Sequence, residues 1–265
     1  MPPLILGAVI YDPKVATIWD RILRHFEERH VPMDVVFYTN YELQVDALLR
    51  GFLDIAWNSP LAWVDAQRRS QGACRAIAMR DTDRDRCTHL VARAGTKALA
   101  DLKGKTIAFG AKDSPQATLI PKEHLLRSGL DEGSYKTLRF DVLVGKHGDH
   151  IGGERDAFRA LEKGDAAACC MLDLNWDGWT KDGTIDPSAY KIVSTTPRFD
   201  HCVFTVRKDF REEAFLKALF SMDYRIPEHR EVMDMEGLKK WEAGRTTGFD
   251  LLTGACEHQR FFAVR

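Results

Sequence analysis

The chain has 265 residues, 45% of them hydrophobic and 29% charged, with 38 basic against 39 acidic residues and a formal net charge of −1. That balance leaves no basic footprint for DNA or RNA, and no cationic helix for a membrane surface. No apolar run approaches the ~20 residues needed to cross a bilayer, and the length predicts one large or two modest domains.

Strands and helices alternate along the chain. Leu4 to Ile10 is an apolar strand, and Val15 to Arg29 carries Ile18, Ile22, Leu23 and Phe26 at helical spacing. Asp34 to Tyr38 is a β-branched strand closed by Thr39-Asn40, and Tyr41 to Arg50 is a helix stopped by Gly51. The short strand Asp54 to Trp57 turns through Asn58-Ser59-Pro60 into a further helix. This order predicts an α/β fold with mostly parallel sheets and helices on both faces.

Further along, Lys105 to Phe109 is β-favouring, Gly110 to Asp113 is turn chemistry, and Ser114-Pro115 opens a helix. Unpaired N–H groups and the positive dipole end at such a start suit a phosphonate, sulfonate or carboxylate, with Ser114, Gln116 and Thr118 as added donors. An ordinary capped helix after a strand explains the same residues. An echo links two places: Leu48-Leu49-Arg50-Gly51 precedes Asp54-Ile55-Ala56, and Leu161-Glu162-Lys163-Gly164 precedes Asp165-Ala166-Ala167. The repeat predicts two lobes of related build, with ligand held where strand ends meet a shared crevice. The apolar strands His89 to Ala92 and Lys191 to Val193 set the crossings, giving lobe one as 1–88 plus 200–265 and lobe two as 89–199.

Six cysteines, Cys74, Cys87, Cys169, Cys170, Cys202 and Cys256, show no CxxC spacing, which leans toward a reducing compartment. Met1-Pro2-Pro3 runs straight into Leu4-Ile5-Leu6 without a basic stretch. The expectation is a cytoplasmic protein if the sequence is whole, and a periplasmic one if a signal was removed. There is no GxSxG, Walker loop, GxGxxG after a strand, or HExxH, and no cofactor is expected.

Four segments carry a resemblance: DLKGKTIAFG with the turn that follows it, GFLDIAWNSPLAW from Gly51, RALEKGDAAACCMLDLNW from Arg159 and HCVFTVRKDF from His201. In that order the chain resembles the type 2 periplasmic binding proteins, specifically the phosphonate-binding branch, from Leu4 to about Phe210. The resemblance implies a two-lobed fold with two hinge strands, closing over a small anionic or zwitterionic ligand for an ABC-type importer. It implies an anion-binding turn at Ser114, Gln116 and Thr118, a matching turn at Asn58 and Ser59 with Trp57 beside it, and a contact at Tyr11. It also places Asp173 at a strand end as an acceptor for an amino or hydroxyl group, and His150 and His201 near the ligand. Capping of the next turn explains Asp173 equally, and His201 is equally read as packed. The turn holding Asp113 departs from the family, which has more hydroxyls there. The His147-Gly148-Asp149-His150 turn departs too, and a metal reading would draft His147 and His150 with Asp173 or His201; plain surface histidines are the alternative. A second functional class remains open: a cytosolic lyase, decarboxylase or hydrolase on the same scaffold, with His147, His150 or His201 as acid or base and Asp173 as partner.

Overall fold

A computed structural model describes residues 2–147 and 152–264. The chain divides into two compact units, Met1–Arg84 with Asp200–Phe249, and Asp85–Phe199 with Asp250–Arg265. Each is built around one sheet.

Unit one begins β1 (Leu4–Val9), α1 (Lys14–Glu27), β2 (Met33–Tyr38), α2 (Tyr41–Leu49), β3 (Ile55–Asn58), α3 (Pro60–Arg69) and β4 (Cys74–Arg80). Unit two takes β5 (Thr88–Arg93), β6 (Thr106–Phe109), α4 (Ile120–Arg127), β7 (Lys136–Arg139), α5 (Gly152–Lys163), β8 (Ala168–Leu172), α6 (Asp173–Lys181) and β9 (Tyr190–Thr195). The chain then returns to unit one with β10 (Val203–Arg207), α7 (Glu213–Phe220), α8 (Pro227–Glu236) and β11 (Trp241–Ala243), and ends in unit two with α9 (Asp250–His258).

The sheet orders are β2-β1-β3-β10-β4-β11 in unit one and β7-β6-β8-β5-β9 in unit two. Position by position they match, with β11 an added edge. In both, three parallel-paired strands meet a single reversed strand, β10 against β3 and β5 against β8, and a further strand pairs antiparallel on its far side. Most strands of each sheet therefore run the same way, as the alternating order predicts.

The helical echo is structural. Gly51 and Gly164 adopt φ of 80° and 84°, the left-handed turn that glycine enters without a Cβ clash. Gly51 N donates to Leu48 O and Phe52 N to Ala47 O, while Gly164 N donates to Leu161 O and Asp165 N to Ala160 O. Each turn leads into a strand with a parallel neighbour, β3 beside β1 and β8 beside β6.

Packing follows the strand alternation. In unit one, Ile18, Trp19, Ile22 and Phe26 of α1 bury against Trp57, Phe204 and Trp241, and Ala47, Leu48, Leu53 and Ala56 form a smaller cluster. Each such aliphatic or aromatic side chain contributes roughly 1.5–3 kcal/mol by leaving water. In unit two, Cys169 and Cys170 enter different clusters, Cys169 with Phe158 and Trp179, and Cys170 with Phe109 and Leu125. Both thiols are buried, and burial pushes both pKa values well up, as expected of cysteines used as small hydrophobes.

Two expected boundaries shift. The first crossing falls at Arg84–Asp85 rather than near 88, and residues 250–265 belong to unit two rather than to the first lobe. The reason is docking of α9 on α4: Leu252, Ala255 and Cys256 are buried, Gln259 Nε2 donates to Leu119 O at 2.8 Å, and His258 Nδ1 lies 2.9 Å from Glu123 Oε1. Nothing in the local pattern of residues 250–258 distinguishes one docking partner from another.

Candidate functional site

Unit one places its candidate turn where β3 breaks onto α3. Ser59 caps the helix, its Oγ accepting from Ala62 N at 3.1 Å, and Pro60 occupies the first helical position, where no N–H is needed. Asn58 is fully buried. Its Oδ1 accepts from Gln44 Nε2 at 2.8 Å, and the same Nε2 donates to Trp57 O at 2.9 Å. That leaves Asn58 Nδ2 a buried donor without a protein partner. A group of this kind is costly unless something else satisfies it.

Unit two places its turn after β6. Ser114 Oγ accepts from Ala117 N at 3.2 Å, again with proline next. Here the helix opens as a wide π turn over Pro115–Leu119 before α4. Pro121 gives the reason. It has no N–H to return to Ala117 O, and that carbonyl instead accepts from Gly110 N at 3.3 Å. The approach is close enough that a Cβ on Gly110 would stand 2.6 Å from Ala117 Cβ.

Gln116 gives an N–H of its side-chain amide to a protein carboxylate. Its Nε2 donates to Glu154 Oε1 at 3.1 Å, and its main-chain carbonyl accepts from Thr88 Oγ1 at 2.7 Å. Glu154 is buried and also accepts from Leu172 N at 2.8 Å and Asn175 Nδ2 at 2.7 Å. Asp113, also buried, accepts from Gly145 N at 2.6 Å through Oδ2. Thr118 is the donor that remains: buried, with Oγ1 unpartnered. Glu154, which the sequence analysis does not single out, stands near the head of α5, which starts at Gly152. Its place at the head of an amphipathic helix was the available signal.

The two turns are not topological counterparts. Ser59 follows β3, which corresponds to β8, whereas Ser114 follows β6, which corresponds to β1. The true counterpart of the Ser114 turn is the Tyr11 to Pro13 stretch, where α1 starts without a side-chain cap.

The remaining candidates sit as follows. Tyr11 is partly buried against the unit-one core. Trp57 is a core residue, its ring 4.6 Å from that of Phe204 and beneath the Arg80 guanidinium at 5.3 Å. Asp173 opens α6; its Oδ1 accepts from Leu174 N at 2.9 Å and its Oδ2 lies 3.4 Å from Arg86, so it serves as a helix-start carboxylate with a cation beside it. His147 is buried with φ of 57°. His150 lies outside the described residues. His201 is in unit one, where its Nδ1 is 3.5 Å from Asp83 Oδ1 and 3.1 Å from Cys202 Sγ.

Asp83 is held by Arg80 through two contacts, Nε to Oδ2 at 2.6 Å and NH2 to Oδ1 at 2.8 Å. Burial alone would raise its pKa; the guanidinium outweighs that and holds it down at about 2. Glu236, half-buried beside the same arginine, is pushed up by desolvation.

A family model described as ABC transporter, phosphonate, periplasmic substrate-binding protein matches residues 10–247. Among solved structures, PhnD1 from Prochlorococcus marinus in complex with methylphosphonate superposes with a TM-score of 0.72 at 17% identity, covering 97% of this chain and 98% of that one. XAC2383 from Xanthomonas citri bound to ATP gives 0.71 at 16% identity, covering 98% and 99%. The aliphatic sulphonate binding protein SsuA from Escherichia coli gives 0.61 at 11% identity, covering 98% and 88%. Among curated proteins, 32 residues are 62% identical to an uncharacterized protein of Haemophilus influenzae, 12% of this chain and 45% of that protein. Among the described residues no helix is long and apolar enough to cross a membrane.

Proposed function

We propose, for a chain that belongs to the phosphonate family of ABC-transporter periplasmic substrate-binding proteins, that it captures a small oxyanion of the phosphonate or sulfonate class and releases it unchanged to an ABC permease. The observation that carries this reading is Thr118, whose buried hydroxyl has no protein partner and stands in the first turn of a Ser114-capped helix start. In unit one, Asn58 Nδ2 is likewise a buried donor without a protein partner, at the start of α3. Hydroxyl, amide and helix N–H groups are the donors a tetrahedral oxyanion needs, and the helix dipole adds to them. The ligands named for the relatives, methylphosphonate, an aliphatic sulphonate and ATP, share that head-group chemistry.

Calorimetry with methylphosphonate, an alkanesulfonate, ATP and a simple carboxylate tests the reading. Thr118→Val should weaken the best ligand about tenfold, the loss of one hydrogen bond to a charged group. The unliganded melting temperature should stay level or rise, because an unsatisfied hydroxyl has gone. Asn58→Asp, which keeps the acceptor for Gln44 but replaces the donor by a carboxylate, should weaken it further. Binding by none of the four, or an affinity indifferent to both substitutions, overturns the assignment. Product analysis after long incubation should return the ligand intact; conversion would revive the lyase, decarboxylase or hydrolase alternative.

A further inference from the structure

We infer that Asp83, His201 and Cys202 form a binding site for one divalent metal ion of the zinc class. The three residues are buried in unit one, and their donor atoms, a carboxylate oxygen, an imidazole nitrogen and a thiol sulfur, all lie within 4.8 Å of one another. The separations have the right scale. His201 Nδ1 stands 3.1 Å from Cys202 Sγ and 3.5 Å from Asp83 Oδ1, and ligand atoms around a tetrahedral zinc ion at ~2.0–2.3 Å bond lengths are roughly 3.4 Å apart. A mixed nitrogen, sulfur and oxygen set suits zinc or cobalt(II) better than the oxygen-seeking magnesium or calcium.

The surroundings fit such an ion. His201 N donates to Asp83 O at 2.7 Å, so the main chain itself fixes the distance between the two segments. Arg80 grips both oxygens of the Asp83 carboxylate, Nε on Oδ2 and NH2 on Oδ1, and hydrogen bonds of this kind orient a ligating oxygen. Arg80 NH1 also bonds Glu236 O at 2.8 Å and lies 3.3 Å from Glu236 Oε1. One guanidinium thus faces two carboxylates, Asp83 buried and Glu236 half-buried. Adding a divalent ion and ionising the Cys202 thiol gives three positive charges against three negative ones, which is how a buried charge cluster avoids a desolvation penalty. The alternative occupant is a proton: an imidazolium at His201 between Asp83 and a neutral thiol.

The full chain, stripped with a chelator, should take up one zinc ion in competition with a chromophoric chelator. With cobalt(II) it should show the visible bands of a tetrahedral ion and the near-ultraviolet absorption of a cobalt–thiolate bond. Cys202→Ser and His201→Gln should weaken uptake roughly 100-fold, with circular dichroism confirming that each variant is folded. If a variant does not fold, the cobalt spectrum of the unaltered chain decides alone. Absence of one-to-one uptake, equal affinity in both variants, or a cobalt spectrum without the thiolate band overturns the site and leaves a hydrogen-bonded thiol only. None of these readouts depends on oxyanion binding, so the two proposals stand or fall separately.

Discussion

The two units share one strand order but buttress their Ser-Pro turns with opposite chemistry. In unit one the support is a neutral amide, Gln44, whose single nitrogen serves Trp57 O and Asn58 Oδ1. In unit two it is a buried carboxylate, Glu154, which collects Gln116 Nε2, Leu172 N and Asn175 Nδ2. The first arrangement leaves Asn58 Nδ2 without a protein partner; the second takes up an N–H of Gln116 and leaves the Thr118 hydroxyl unpartnered. Similar folding rules therefore do not leave the same polar atoms unpartnered, because the side chain behind each turn decides which remain.

Acid should separate the units most strongly. His25, in unit one, is buried and holds its pKa down at about 4 from 6.5, chiefly through desolvation, with its bond to Ala218 O acting the other way. The folded imidazole stays neutral where the unfolded one is protonated. Stability is thus complete above about pH 6.5 and is lost as pH falls toward 4. Asp83, depressed from 3.8 to about 2, adds stability that is present above 3.8 and lost as pH falls through 2. His89 and His124 are also lowered in unit two by burial. Hydrogen exchange from pH 7 to 4 should show protection falling more steeply in unit one, and His25→Gln should flatten that slope. Equal slopes in both units would break the contrast.

The braces give the next effect. Glu154→Leu orphans three donors and should cost about 3 kcal/mol by chemical denaturation, against about 1–2 kcal/mol for Gln44→Leu, which orphans two acceptors. Reversal of that order would mean the carboxylate is not the stronger support. Smallest are the caps: Ser59→Ala and Ser114→Ala should each cost about 1 kcal/mol, because the two serines make the same bond. A several-fold larger loss at Ser114 would show that the π turn depends on its cap in a way α3 does not.

Much of this was legible in the sequence. The 3.6-residue spacing of Ile18, Ile22 and Phe26, the glycine stops at 51 and 164, and the Ser-Pro starts all act over a few residues, so the chain states them locally. The family likeness followed from those same segments. The bond from Gln116 to Glu154 is not legible because its partner is 38 residues away. Trp57, which the resemblance places beside the Asn58 turn, packs in the unit-one core against Phe204, a contact between segments far apart in the chain that no local pattern states.

What the sequence determined by itself is the sheet-and-helix order and the position of each capped helix start, since propensity, capping and turn chemistry are settled between near neighbours. Only the tertiary structure decided which buried polar atoms find partners, which unit claims residues 250–265, and that Asp83 meets a histidine and a cysteine 118 and 119 positions later. Those outcomes depend on contacts between distant segments, and such contacts are fixed by packing and charge pairing rather than by any local pattern.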